Sequence, residues 1–148
     1  MHYVYEFEIY ESEGKLVTLP FDMDGGTQGG TLREAAFMAT DWLRLDIEHR
    51  LMYDLEIPKA TFGNKPQQNG RILLIAIEAS LDTISAVAAY KAADMLGVSR
   101  GRVSQMVSAG LLDGFRKGRD VFVTTDSIAA RLAEKPRAGR PSKKLALV

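Results

Sequence analysis

The segment Tyr90–Gly110, YKAADMLGVSRGRVSQMVSAG, leaves few ways for this chain to fold. Ala92, Ala93 and Leu96 fall on one side of a short helix, and Val103, Met106 and Val107 on one side of a second. Small alanines let the second helix cross the first closely. Between them Gly97 can take a positive φ without a Cβ penalty, so the chain can reverse tightly, with Val98 plugging the corner. Ser99 suits the N-cap of the second helix, and Gly110 suits its stop. Such a crossing leaves the second helix an outer face of Arg100, Gly101, Ser104, Gln105 and Ser108, with Arg102 at its edge. A helix lying in a DNA major groove needs a face of this polar, basic kind. Arg100, Gly101, Arg102, Ser104 and Gln105 are therefore the candidate DNA-reading residues.

The flanks extend the pattern. Ser85 to Leu96 reads as helical throughout. Leu111–Phe115 and Val121–Thr124 read as two short strands around Lys117-Gly118-Arg119-Asp120, a hairpin whose Lys117 and Arg119 would meet phosphates. Asp126 is the expected cap of a last helix, Ser127 to about Leu132. In this order, Ala92-Ala93, Leu96-Gly97-Val98-Ser99-Arg100, Val103, Gly110-Leu111 and the Lys117-Gly118-Arg119 tip resemble the excisionase and MerR-type winged helix-turn-helix family. The resemblance implies a DNA-binding domain over residues 85–133.

Charge divides the chain at the same place. The formal net charge is zero, yet residues 1–84 carry 7 basic and 14 acidic side chains, and residues 85–148 carry 12 basic and 5 acidic. Polyanions would be drawn to the second part and basic partners to the first. The tail from residue 134, with Arg137, Arg140, Pro141, Lys143 and Lys144, reads as disordered and basic, with the composition of a minor-groove arm. There is no cysteine, the acidic N-terminus is unlike a signal peptide, and Ile72–Ile77 is too short an apolar run to span a bilayer. These features point to a soluble cytoplasmic protein without membrane contact.

In the N-terminal part, Tyr3–Ile9 alternates as a half-buried strand, Glu13-Gly14 marks a turn, and Leu16–Leu19 forms a second strand. By that alternation Glu6 and Glu8 should face solvent. Thr31, with Glu34 three residues on, opens a helix along Leu32, Ala35, Ala36, Ala39, Leu43 and Ile47, running to about Tyr53. Arg71–Ala79 is apolar enough for a strand buried on both faces, and another strand could lie near Thr61-Phe62. The stretch Leu19-Pro20-Phe21-Asp22-Met23-Asp24-Gly25 leading through Gly29, Thr31, Glu34 and Ala35 resembles the signature of HicB-family antitoxins. It departs from that signature at Phe21, Asp24, Gly26 and Gly30. The resemblance implies a partial ribonuclease-H-like fold that binds a small basic mRNA-cleaving toxin, HicA, with Asp22 and Asp24 as candidate toxin contacts.

Catalysis is not expected. Asp22 and Asp24 are close in sequence, but spacing alone does not assemble a two-metal carboxylate site. His2 and His49 are too few and too scattered for a triad or a metal set. No cofactor and no metal site are expected. The sequence thus predicts an α+β protein. A β-β-α-β HicB-like domain (1–84) for toxin binding and oligomerisation precedes a winged helix-turn-helix domain (85–133) and the tail (134–148). The function expected is that of an antitoxin that neutralises a HicA-like toxin and represses its own operon as a homodimer or higher oligomer on operator DNA. The alternative is a stand-alone transcriptional regulator, or a recombination directionality factor, whose first domain only oligomerises or senses a ligand.

Overall fold

The computed structural model describes residues 1–134; the basic tail and its arginines and lysines lie outside the described residues. The chain divides into two compact units, one spanning Met1–Thr83 and the other beginning at Ile84. Together they hold two antiparallel sheets and four helices among the described residues.

In the first unit β1 (His2–Ser12) turns back through Glu13 and Gly14, both at positive φ, into β2 (Lys15–Pro20). A short β3 (Thr27–Gly29) adds to the far side of β2, inside the stretch that reads as loop from sequence. Helix α1 (Leu32–Met52) follows, and β4 (Arg71–Glu78) returns antiparallel to β1, completing the order β3-β2-β1-β4. Thr31 caps α1 by accepting the Glu34 N–H at 3.1 Å, worth about 1 kcal/mol. Along α1, Ala35, Ala39, Leu43 and Ile47 are fully buried against the odd-numbered face of the sheet, where Tyr5, Phe7, Ile75 and Ile77 lie. Burying Leu43 and Ile47 contributes roughly 2–3 kcal/mol each. Gly29 permits this packing, because a Cβ there would come within 2.6 Å of the Ala35 backbone nitrogen.

Three expectations about the sheet fail in this unit. β4 is buried on one face only, the face that α1 covers, and Leu74 on the other is 62% exposed. Glu6 and Glu8 do face away from α1, but they are buried. The segment 57–70 is irregular chain, with no strand at Thr61-Phe62; Ile57 and Ala60 pack on the inner core, and the two carboxylates bind the backbone of residues 63–70 on the other side.

The second unit starts with β5 (Ala86–Ala88), not with a helix. Its three residues pair antiparallel with Thr124, Val123 and Phe122 of β7, and this edge takes them before α2 (Ala89–Leu96) begins. Gly97 adopts φ 70° and ends α2, with the Val98 N–H donating to the Ala93 carbonyl at 3.0 Å. Helix α3 (Arg100–Ser108) begins two residues later, under a Ser99 cap that accepts the Arg102 N–H at 3.0 Å. β6 (Gly114–Lys117) and β7 (Asp120–Thr124) form a hairpin, and α4 (Thr125–Glu134) closes the unit. Its cap differs from expectation. The Ser127 N–H donates to the Thr124 hydroxyl, so the helix starts before Asp126. Ala92, Ala93, Leu96, Val103, Met106, Leu112, Val123 and Ile128 make the core.

Candidate nucleic-acid interface

Burying Val103 and Met106 fixes the rotation of α3. With these two inside and Val107 half-buried, the helix must turn Arg100, Gly101, Arg102, Ser104, Gln105 and Ser108 outward, and all six are exposed. The first turn, where Arg100 and Arg102 stand, is held by the Ser99 side chain and by the Val103 N–H donating to the Ser99 carbonyl at 3.1 Å. Two guanidiniums are therefore displayed from a backbone with both ends of that turn bonded.

The hairpin supplies the second wall. Residues alternate along it, so Gly114 and Arg116 of β6 share a face with their cross-strand partners Val123 and Val121 of β7. Val123 is fully buried in the helical core, which turns this face toward the helices and carries Arg116 with it. On the other register Phe115 stacks on Phe122 at 5.7 Å between ring centroids, and the Lys117 ammonium lies 5.7 Å from the Phe122 ring. Gly118, at φ 67°, makes the tip.

Between these walls lies a cleft of about 450 Å³. Its lining includes Arg100, Gly101 and Ser104 of α3, Arg116, Arg119 and Asp120 of the hairpin, and Ala89 and Tyr90 at the start of α2. Three guanidiniums against one carboxylate leave it electropositive, and none of the three is in a salt bridge among the described residues. Such a cleft can accept an anionic backbone while the exposed α3 face meets base edges.

In the first unit, the residues proposed from sequence as protein contacts part company. Asp22 is half-buried and engaged. One carboxylate oxygen accepts the Thr61 N–H at 2.9 Å and the other the Thr61 hydroxyl at 2.7 Å. Asp24 is exposed. Glu6 accepts the N–H groups of Gly63 and Asn64 and the Asn64 side-chain amide. Glu8 accepts those of Gln67, Gln68 and Gly70 at 2.7–2.9 Å. For Glu6 the backbone donors of Asn64 and Gly63 hold the carboxyl below its ordinary pKa. For Glu8 burial pushes upward, but the three backbone donors outweigh it and the pKa is lowered. All three acids thus fasten one loop. Among the described residues no group of three or more His, Asp or Glu is placed to hold a metal ion, and no helix is long and apolar enough to cross a membrane.

No family model and no curated protein matches this chain. A structural neighbour is a chain of a toxin–antitoxin complex from Streptococcus pneumoniae. It is 15% identical, with a TM-score of 0.49, over 74% of this chain and 99% of that one. At that level of likeness, any reading of partners rests on this chain's own residues.

Of the candidates read from sequence, the cleft brings together Arg100, Gly101, Ser104 and Arg119, while Arg102, Gln105 and Lys117 lie outside its lining. Sequence reasoning missed Arg116 and Tyr90. Arg116 had a legible signal, since it alternates with Phe115 and Lys117 along a strand. Tyr90 had none, because its place depends on β5 ending at Ala88 and starting α2 beside the hairpin.

Proposed function

We propose that the chain is a HicB-family-like antitoxin. In this reading the first unit neutralises a small basic HicA-like ribonuclease, and the second, a winged helix-turn-helix, represses the operon encoding both. The observation that carries the DNA half is the exposed Arg100–Gln105 face of α3 set beside the arginine-lined cleft. A duplex placed there would have α3 in its major groove and one phosphate strand along Arg116 and Arg119. The toxin half is supported by the acidic excess of residues 1–84, which suits a basic partner by steering and by imitating its RNA phosphates. No catalytic role is assigned to the chain.

The test is paired. Purified protein titrated onto its own promoter DNA should shift a specific fragment far more tightly than random duplex. Co-expression with a basic protein encoded beside it should relieve that protein's growth arrest. Specific DNA binding without such relief selects the second reading, a stand-alone regulator. One observation favours that reading. Asp22, one of the two proposed toxin contacts, is already spent on Thr61.

A further inference from the structure

Most glycines of the second unit have an internal reason to be glycine. Among its described residues, Gly97, Gly110 and Gly118 stand at positive φ, and a Cβ on Gly114 would come within 2.6 Å of the Phe122 carbonyl oxygen. Gly101 has neither reason. It is the second residue of α3, and its φ is not positive. Beyond its chain neighbours and the helix backbone, the nearest atom to a Cβ there would be the Ser99 hydroxyl oxygen, at an ordinary 3.9 Å. An alanine would fit without strain, and it would leave the unfolded chain fewer conformations to lose on folding. Alanine also favours a helix more than glycine does. Nothing inside the unit accounts for the missing side chain.

The place of Gly101 on α3 points outward. At about 100° per residue, it lies almost diametrically opposite the stripe of Val103, Met106 and Val107. It shares an exposed ridge with Gln105 and Ser108, and Arg100 and Arg102 stand on either side of it. The ridge is therefore bare at its N-terminal end, the end of a recognition helix whose residues meet base edges. We propose that Gly101 is the seating point of α3 on duplex DNA. It has no side chain with which to read a base. Its bare backbone lets the first turn rest close enough to the groove floor for Arg100, Arg102 and Gln105 to reach the bases. The proposal rests on the DNA reading of the second unit and assigns that reading a specificity-determining position. A methyl group at 101 would stand between α3 and the groove floor and hold those three side chains back. Non-specific complexes are held by phosphate contacts, need no such seat, and would not feel the methyl.

Gly101→Ala and Gly101→Leu in the full-length protein test this, since both residues are good helix formers. Calorimetry should show the second unit melting no lower than in the wild type, and roughly 2–4 °C higher for Gly101→Ala. Titration onto the chain's own promoter fragment should show affinity falling about tenfold for Gly101→Ala and further for Gly101→Leu. Affinity for random duplex should stay within about twofold of the wild type. A fold made firmer while specific binding weakens is a pair of signs that a merely structural glycine does not give. Full promoter preference in Gly101→Ala overturns the proposal and leaves the DNA reading standing. A lowered melting temperature does the same, because the glycine then has an internal role. Equal loss on both duplexes also overturns it, by placing the methyl against phosphates. A wild type that binds its promoter fragment no better than random duplex overturns the DNA reading and the proposal together.

Discussion

Glu6 and Glu8 stand at alternate positions of β1, and each satisfies a set of backbone N–H groups that the loop 57–70 would otherwise present to solvent or leave unpaired. Their lowered pKa values make the loop pH-sensitive. A carboxyl whose folded pKa is depressed adds stability above its unfolded value and loses it as pH falls through the folded one. Amides of Gly63, Gln67 and Gly70 should thus keep their hydrogen-exchange protection above the ordinary Glu value of 4.5 and lose it below. Glu8→Gln should remove the acid step at Gln67 and Gly70, with a cost of about 1–2 kcal/mol at neutral pH. Protection that is flat from pH 7 to 3 in the wild type would count against this. In the second unit, the arginines divide by what they can reach. Arg100→Ala or Arg102→Ala should cost about 1–3 kcal/mol on operator DNA and flatten preference at one base position. Arg116→Ala or Arg119→Ala should weaken operator and random DNA alike and lower the salt slope by about one. A salt titration of both DNAs separates the two classes. Loss of specificity in the hairpin variants alone would reverse the assignment.

Between elements, the α2–α3 corner concentrates the constraints. Gly97 is held at φ 70°, where a side chain costs roughly 1–2 kcal/mol. The Ser99 hydroxyl is the side-chain cap of α3, accepting the Arg102 N–H. Gly97→Val should therefore lower the melting temperature of residues 84–134 by several degrees, at roughly 4–8 °C per kcal/mol. Ser99→Ala should cost about 1 kcal/mol and loosen the turn that displays Arg100 and Arg102. Paired calorimetry and DNA titration would show stability and affinity falling together for both. β5 teaches a different lesson. Ala86-Val87-Ala88 has alanine-rich helical composition, yet it forms a strand because β7 offers it an unpaired ladder and Val87 packs on the core beside Ala89.

At the scale of the whole molecule, each unit has its own buried core. A fragment of residues 1–84 should therefore fold alone, bind no DNA and, on the antitoxin reading, still relieve the growth arrest caused by its toxin. Continued arrest with the fragment soluble and folded would remove that reading while leaving DNA binding by the full chain intact. A single recognition helix reads only a short half-site. High-affinity operators should then contain two half-sites ~34 Å or a multiple apart, and footprinting should find paired protections with that spacing.

Local chemistry sufficed wherever a signal was complete within a few residues. The Thr31 and Ser99 caps, the Glu13-Gly14 turn, the positive φ at Gly97, and the inward stripes of α1 and α3 all depend on neighbours within one or two turns. Composition alone divided the charge. The tertiary structure decided what depends on distant chain. Glu6, Glu8 and Asp22 become ligands of the backbone, the first two buried and the third half-buried, only because a loop some 39 to 62 residues away returns to them. β3 and β5 exist only as partners of β2 and β7. Arg116 and Tyr90 enter the cleft only once the hairpin folds against the start of α2. Alternation in a strand can say that two residues share a face. It cannot say whether water or another piece of the chain will cover that face, because the covering segment is selected by hydrogen bonds formed after folding.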